Sequence, residues 1–228
     1  MNAEEMEARI KTLAHRVRTL ADIEEIKTLQ KAYGYYLEHW MSQEIVDLFS
    51  DDPDVSLTLA AGTYLGKKRI VEYFNRMKEP NPEFLHQVMQ LSGIVKVDPK
   101  GTTATGRWYG FGAVAVPSDK GAKEYFMGGI YGCEYVKQTG VWRIKRLRFD
   151  ASYTATPASG WVAPERLVPT DTRAPLTGPQ ADVPRTFSPR YPSGYIFPFR
   201  YSHPVTGKKT SEELRNSSID GVKQWRYS

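Results

Sequence analysis

The side chains best suited to chemistry crowd one end of a helix-forming stretch. They comprise three phenols, a carboxylate, an imidazole and an indole: Tyr33, Tyr35, Tyr36, Glu38, His39 and Trp40. A solvent-facing helix does not need so many rings, and a core helix does not tolerate an unpaired carboxylate. The combination predicts a helix beside a cavity, with a polar group directed into an aromatic lining.

Glu38 is expected at the edge of the apolar face of this helix. At about 100° per residue it lies roughly 40–60° around the helix from Gly34 and Tyr35. Gly34 leaves room for a ligand or another backbone to approach. Tyr35 is therefore the expected partner of Glu38, whereas Tyr33 and Tyr36 are expected to pack. The alternative is a surface role for Glu38, paired with a neighbouring basic residue.

His86, at the start of a strand-like run, is the second candidate for acid–base chemistry. A carboxylate and an imidazole near each other are the usual minimum for moving protons. Burial lowers the pKa of an imidazole and a carboxylate partner raises it, so the pair could share one proton near neutral pH. The alternative is a structural histidine. His203, between Ser202 and Pro204, could close a pocket.

The elements that must position these residues begin with helices, and the long strands come later in the chain. Residues 4–20 carry a narrow apolar seam at helical spacing, and Asp22 with Glu25 predicts a capping box that starts a second helix ending near Trp40. A short helix over 44–49, strands at 55–59 and 64–65, and a helix over 67–77 follow.

Four longer strands come next, over residues 85–97, 102–116, 123–137 and 141–151. The last two are joined by a Thr139–Gly140 hairpin turn. Helices followed by an antiparallel meander predict an α+β fold.

Strand alternation predicts which side chains line the interior. Successive side chains of a strand point to opposite faces, so every second residue shares a face. The third long strand then presents Tyr125, Met127, Gly129, Tyr131 and Cys133 together, and the second presents Ala104, Gly106, Trp108 and Gly110. We expect rings to line a pocket, with room at the glycines for a flat apolar ligand. Cys133 is expected to be a buried, inert thiol rather than a nucleophile.

Residues 155–228 differ in composition from the rest of the chain. Ten prolines interrupt this stretch from Pro157 to Pro204, and it has no helical period. Aromatic residues recur through it: Trp161, Phe187, Tyr191, Tyr195, Phe197, Phe199 and Tyr201. We expect an extended arm that wraps its own domain or a partner subunit, with a disordered tail as the alternative.

Composition narrows the functional classes. The chain of 228 residues has 40% hydrophobic and 25% charged residues, with a net charge of +5 spread along its length. Spread charge is typical of a solvated surface, so nucleic acid is not an expected partner. No apolar run reaches the ~18 residues of a membrane span, so no membrane partner is expected. The single cysteine fits a reducing, cytoplasmic setting.

Known motifs for other chemistries are missing from the sequence. No glycine-rich phosphate loop, metal-ligand spacing or nucleophile-elbow serine occurs. No metal or cofactor is therefore expected.

Several short motifs, in order, resemble the SnoaL-like branch of the nuclear-transport-factor-2-like superfamily, which includes scytalone dehydratase. They are Tyr36-Leu37-Glu38, Asp47-Leu48-Phe49, Gly66-Lys67, His86 and Gly140-Val141-Trp142-Arg143-Ile144. The resemblance covers roughly residues 20–154. It implies a cone, in which a curved antiparallel sheet wraps around helices and encloses an apolar pocket, and it implies a homo-oligomer, a dimer or trimer. The expected domains are an N-terminal extension (1–21), the cone (22–154) and the arm (155–228).

The resemblance also suggests roles for single residues. Glu38 stands where scytalone dehydratase has a pocket aspartate, His86 matches one catalytic histidine, and Tyr131 takes the place of a pocket asparagine. The second catalytic histidine has no equivalent, since the position near Val114 is apolar, and Leu37 replaces a pocket tyrosine. Tyr35, Tyr125, Tyr131 or a lysine could then supply the missing donor.

These observations predict a cofactor-independent lyase acting on a small, hydrophobic, phenolic substrate. The reaction is acid–base elimination of water. The same electron sink could also drive carbon–carbon cleavage with formaldehyde release, as in lyases of lignin-type diarylpropanes. The alternatives are an isomerase or cyclase, and a non-catalytic binding protein on the same fold. The expected catalytic residues are Glu38, His86, Tyr131 and Tyr35. The expected substrate-binding residues are Trp40, Trp108, Tyr125, Met127 and Phe149.

Overall fold

Helices cover one face of a curved, mixed sheet in the computed structural model of this protein, which describes residues 1–77, 83–119, 121–157 and 179–184. The helices in these ranges are α1 (Ala3–Glu38), α2 (Ser42–Asp47) and α3 (Gly66–Phe74), the last followed by a 3-10 turn at Asn75–Met77. The strands are β1 (Ser56–Leu59), β2 (Gly62–Leu65), β3 (Leu85–Val97), β4 (Thr103–Val116), β5 (Lys123–Gln138), β6 (Val141–Ala155) and β7 (Val183–Pro184).

A single helix of 36 residues, α1, replaces the two helices predicted before Trp40. The predicted capping box at Asp22 is therefore wrong. The helix begins instead at Asn2, whose side chain accepts from the backbone N–H of Glu5 while the Glu5 carboxylate accepts from the Asn2 N–H. Asp22 is buried within the helix, and its Oδ1 accepts from Lys137 Nζ at 2.5 Å and Trp142 Nε1 at 2.9 Å. Because those two donors satisfy the carboxylate, it does not compete for the helix backbone.

The predicted meander is present, and the α+β class is confirmed. Strands β3 to β6 pair antiparallel in chain order, and β1 adds to β6 in parallel, which makes the sheet mixed. The order across the sheet is β3-β4-β5-β6-β1-β2-β7. The register shifts in β3–β4 between Leu91 and Ile94, and twice in β5–β6. Such bulges bend strands, and they curve the sheet around α1.

The core between α1 and the concave face of the sheet is built largely of rings. Tyr33 of α1 makes edge-to-face contacts with Phe49, Phe74 and Tyr131, at centroid distances of 6.4, 6.4 and 6.2 Å. Ile26 and Leu37 are buried on the same side of the helix. The packing role expected for Tyr33 is thus confirmed.

The N-terminal half of α1 lies outside this core. Almost every residue up to Leu20 is exposed, and burial of the helix begins at Asp22. Among the described helices, α1 included, none is both long enough and apolar enough to cross a membrane.

Part of the predicted arm packs on its own domain. β6 continues to Ala155, and residues 179–184 return to pair β7 with β2. The Asp182 carboxylate accepts from the Leu65 backbone N–H at 2.9 Å and from Arg69 Nε at 2.9 Å. The aromatic residues predicted to anchor the arm, and His203, lie outside the described residues.

Candidate functional site

His86 lies on the concave face of β3, one residue after the strand begins, at the end of the sheet that we call the rim. It pairs in register with Val114 of β4, which in turn pairs with Tyr125 of β5. The next inward row on the same face contains Val88, Gly112 and Met127. Strand alternation thus brings His86, Tyr125 and Met127 to one end of the cone, as the sequence predicts.

One ring nitrogen of the His86 imidazole, Nδ1, is buried without a hydrogen bond to another described residue. The ring stacks on Phe84 at 6.3 Å with an interplanar angle of 14°. Burial lowers the pKa of His86 to about 4, and the nearby Arg76 guanidinium adds to the effect. His86 is therefore neutral at pH 7, with a ring nitrogen able to accept a proton or a hydrogen bond.

Glu38, the last residue of α1, is held beside β3. Its Oε1 accepts a hydrogen bond of 3.1 Å from Gln87 Nε2, next to His86 in the chain. The helix approaches the strand closely at Gly34, where a Cβ would lie 3.2 Å from Gln90 Nε2 and 3.6 Å from the Val88 carbonyl oxygen. Gly34 therefore makes room for a strand. Gln87 and His86 are consecutive in β3, so their side chains point to opposite faces. Among the described residues Glu38 is bonded to Gln87, and the expected Glu38–His86 pair is not formed.

Trp40 ends α1 in a backbone conformation that usually requires glycine. Its φ is 58°, in the left-handed region. The Met41 N–H bonds the Tyr36 carbonyl at 3.0 Å, and the Trp40 N–H bonds the Leu37 carbonyl at 3.4 Å. This is the Schellman pattern, in which glycine normally occupies the Trp40 position. The indole packs on Phe84 at 4.5 Å, so the strained residue supports the ring that stacks on His86.

Two rim residues, Tyr73 and Arg76, are missing from the sequence-based prediction. Arg76 Nη2 donates to the Tyr73 hydroxyl, and the guanidinium lies 4.0 Å from the centre of the Tyr73 ring. The Arg76 guanidinium also contributes to the lowered pKa of His86. Residues three apart on a helix are neighbours, so the predicted helix over 67–77 already places Tyr73 beside Arg76. The prediction for that helix rested on its apolar face alone.

A chain of polar side chains crosses the interior beneath the rim. Trp108 Nε1 donates to the Tyr135 hydroxyl at 3.0 Å, and that hydroxyl donates to Gln30 Oε1 at 2.7 Å. Gln30 Nε2 donates to Gln90 Oε1 at 2.6 Å. We call these four residues, Trp108, Tyr135, Gln30 and Gln90, the polar relay.

Tyr131, Trp108 and Phe149 belong to the packed interior rather than to the rim. Tyr131 and Phe149 contact each other at 4.4 Å, and burial raises the pKa of Tyr131 well above its ordinary value. A Cβ on Gly110 would lie 2.7 Å from each of these two rings. The prediction of ligand room at the glycines is therefore wrong at Gly110, where neighbouring rings fill the space.

Tyr35 is not brought to this site. Its side chain is 64% exposed, whereas Tyr33 and Leu37 on either side are buried. Two residues along a helix correspond to a rotation of about 200°, so a tyrosine midway between two buried residues faces away from the core. The carboxylate of Glu38 accepts from Gln87 instead, so the expected Tyr35–Glu38 partnership is not formed.

Cys133 is buried in the interior, and burial raises its pKa to about 12, in keeping with an inert thiol. Within the described part of the chain, no group of three or more His, Cys, Asp or Glu residues is arranged to hold a metal ion.

A groove of about 430 Å³ lies away from the rim, between α1 and the start of β6. Its lining includes Glu24, Glu25, Thr28 and Trp142.

Comparison with known proteins agrees with this architecture. The model of the SnoaL-like domain matches residues 18–148, from the middle of α1 to β6. The chain belongs to the SnoaL-like family. A search of curated protein sequences found no match.

Solved structures with the same fold share little sequence with this SnoaL-like protein. LinA has 18% identity and a TM-score of 0.51, with 66% of this chain and 99% of LinA covered. A scytalone dehydratase candidate from Novosphingobium aromaticivorans has 18% identity and a TM-score of 0.50, with 62% and 91% covered. The Kfla4162 protein from Kribbella flavida has 16% identity and a TM-score of 0.50, with 60% and 95% covered. These likenesses establish the fold.

Proposed function

We propose that this SnoaL-like protein is a cofactor-independent lyase that removes water from a phenolic diaryl substrate and then cleaves a carbon–carbon bond. Members of the family are often cofactor-independent enzymes, including dehydratases and isomerases. The observation that carries the proposal is the buried Nδ1 of His86, which has no partner in another described residue. A buried polar atom without a partner is costly, and a bound phenol would satisfy it.

The residues near His86 supply four different kinds of group. His86 is neutral because burial lowers its pKa to about 4, so it can accept a hydrogen bond or a proton from a phenol. Tyr125 is half-buried, and burial raises its pKa, which keeps its hydroxyl protonated as a donor. Glu38 offers a carboxylate held by Gln87. Arg76 adds a cation that can stabilise a developing phenolate.

The first chemical step is loss of the benzylic hydroxyl. His86 takes the phenolic proton, the ring electrons expel the hydroxyl, and Tyr125 donates the proton with which it leaves as water. The product is a quinone methide, and the proton on His86 returns to Tyr125. This assignment uses a tyrosine in place of the second histidine of scytalone dehydratase.

The second step cleaves the bond to the terminal hydroxymethyl group. Glu38 takes the proton of that hydroxyl, the carbon–carbon electron pair moves into the quinone methide, and formaldehyde leaves. The phenolate that forms takes the proton back and gives a stilbene. One diol yields one stilbene, one formaldehyde and one water, so the balance needs no oxidant or reductant.

The test is incubation of the purified protein with a phenolic 1,2-diarylpropane-1,3-diol. Stilbene absorbance and formaldehyde should rise together in a 1:1 ratio. The methyl ether of the same diol should not react, because it cannot form a quinone methide. Absence of turnover on the phenolic diol would eliminate this substrate class, and equal turnover of the ether would eliminate the quinone methide.

Variants separate the roles of the rim residues. Glu38→Gln and His86→Asn should each lower kcat by roughly 100-fold or more, which is the usual contribution of a general acid or base. Tyr125→Phe should do the same. Glu44→Gln and Tyr109→Phe are matched controls, since both side chains are exposed, and they should retain full activity.

Product analysis tests the alternatives. A product with the same mass as the substrate would indicate an isomerase or cyclase. Saturable binding without any product, unchanged in Glu38→Gln, would indicate a binding protein.

A further inference from the structure

An apolar seam on the N-terminal half of α1 has no partner in the described chain. Its five large residues are 47 to 64% exposed and follow each other at steps of four, three, four and three: Met6, Ile10, Leu13, Val17 and Leu20. A single exposed apolar side chain is ordinary, but a continuous stripe of them marks an interaction surface. The seam lies outside the proposed active site.

We propose that two copies of this chain associate through the seam of residues 3–20 as a parallel, in-register, two-stranded coiled coil. The steps of four and three are those of a heptad repeat, which places Ile10 and Val17 at a positions and Leu13 and Leu20 at d positions. β-Branched residues at a with leucine at d favour a parallel pair over larger bundles.

The charged flanks of the seam favour the same orientation. In a parallel pair, Arg9 and Arg16 at g positions face Ala14 and Ala21 at e positions of the second copy. An antiparallel pair would instead bring Arg9 of one copy near Arg16 of the other. The like charges therefore disfavour the antiparallel arrangement.

The helix that carries the seam is already formed. An isolated helix of about 18 residues is marginal in water because its nucleation is unfavourable. Here the helix continues without a break into the buried half of α1, which is fixed at Asp22 by Lys137 and Trp142. The next a position after Val17 is Glu24, so the seam ends where the helix reaches the sheet.

The expected strength follows from the length of the seam. Eighteen residues at ~1.5 Å each give a strip about 27 Å long. With a width of roughly 15 Å, two helices bury about 800 Å² in total, below the ~1,200 Å² typical of stable complexes. The association is therefore expected to depend on protein concentration, and other contacts between the cone domains would strengthen it.

Cysteine cross-linking tests the register directly. Leu13→Cys should form a covalent dimer on mild oxidation, because identical d positions face each other in a parallel pair. His15→Cys, at the opposite f position, is the matched control and should remain monomeric on a non-reducing gel. The native Cys133 gives no background, since it is buried and its pKa is raised to about 12.

Sedimentation equilibrium tests whether the seam drives association of the two copies. The wild-type mass should increase by a factor of two with rising concentration. Leu13→Glu should abolish this step, His15→Glu should retain it, and circular dichroism should show that both variants remain folded. A wild-type mass that does not change with concentration, together with no Leu13→Cys dimer, would overturn the proposal and indicate that another part of the chain covers the seam. The Ile10→Cys and Leu13→Cys variants can also be mixed. If disulfides form only between the two variants, and not between copies of either one alone, the parallel orientation is wrong.

Discussion

Acidification should destabilise this protein through His86 well before its carboxylates are protonated. The ordinary imidazole pKa is 6.5, and in the fold it is lowered to about 4, chiefly by burial. As the pH falls below 6.5, the unfolded chain binds a proton that the folded chain still excludes. The contribution of His86 is therefore fully present above that pH and is lost as the pH approaches 4.

The size of this effect follows from the difference between the two values. Each pH unit between them costs about 1.4 kcal/mol, so the free energy of unfolding should fall by about 2 kcal/mol between pH 7.5 and pH 5.0 through His86 alone. The measurement is urea unfolding at both pH values for the wild type and for His86→Asn. Carboxylates with lowered pKa, such as Asp22 and Asp98, occur in both proteins and cancel in the comparison.

The variant should lose about 2 kcal/mol less than the wild type over this pH range. An NMR titration provides a check that does not require the variant to be stable. The His86 ring signals should not shift until the pH is below 5. Titration of His86 near pH 6.5, or the same pH dependence in both proteins, would refute the assignment of a buried, neutral imidazole.

Two further predictions concern the supports of the site. Tyr135→Phe removes the centre of the polar relay, and Trp108 Nε1 and Gln30 Oε1 each lose their hydrogen bond to Tyr135. The change should therefore lower the free energy of unfolding by about 1–3 kcal/mol. The exposed Tyr35→Phe should change it by less than about 0.5 kcal/mol, and equal losses would show that the relay is not structural. For the left-handed residue that ends α1, Trp40→Ala should be about 1 kcal/mol less stable than Trp40→Gly, because both lack the ring but only glycine adopts this backbone without strain. Equal stability in urea unfolding would indicate that the helix end is not strained.

Local patterns were sufficient to predict the meander. The bounds of β3 agree with those expected from the sequence, and the other long strands differ at their ends. Alternation and turn residues lie within the strands themselves, so they can be read locally. The parallel pairing of β1 with β6 joins segments about 90 residues apart and has no local signal.

The errors arose where tertiary contacts override a local pattern. Asp22 followed three residues later by Glu25 is a typical capping signature, but Lys137 and Trp142, far along the chain, bind the carboxylate inside a continuous helix. The glycines of the concave face indicate space, but the sequence does not say whether a ligand or a ring fills it. Tyr73 and Arg76 were missed because their relation to His86 exists only in the folded chain.

The polar relay has a direction, and this has a consequence for how the interior responds to pH. An indole can only donate, so Trp108 determines the role of each group that follows: Tyr135 accepts from it and donates to Gln30, which donates to Gln90. The line ends at the Val88 carbonyl, which accepts from Gln90 Nε2 at 3.1 Å. The members of this line are neutral indole, phenol and amide groups, whose protons are ordered without any charge. These groups thus stay uncharged over the pH range in which His86 is protonated, so the polar relay keeps its proton order while the rim changes charge.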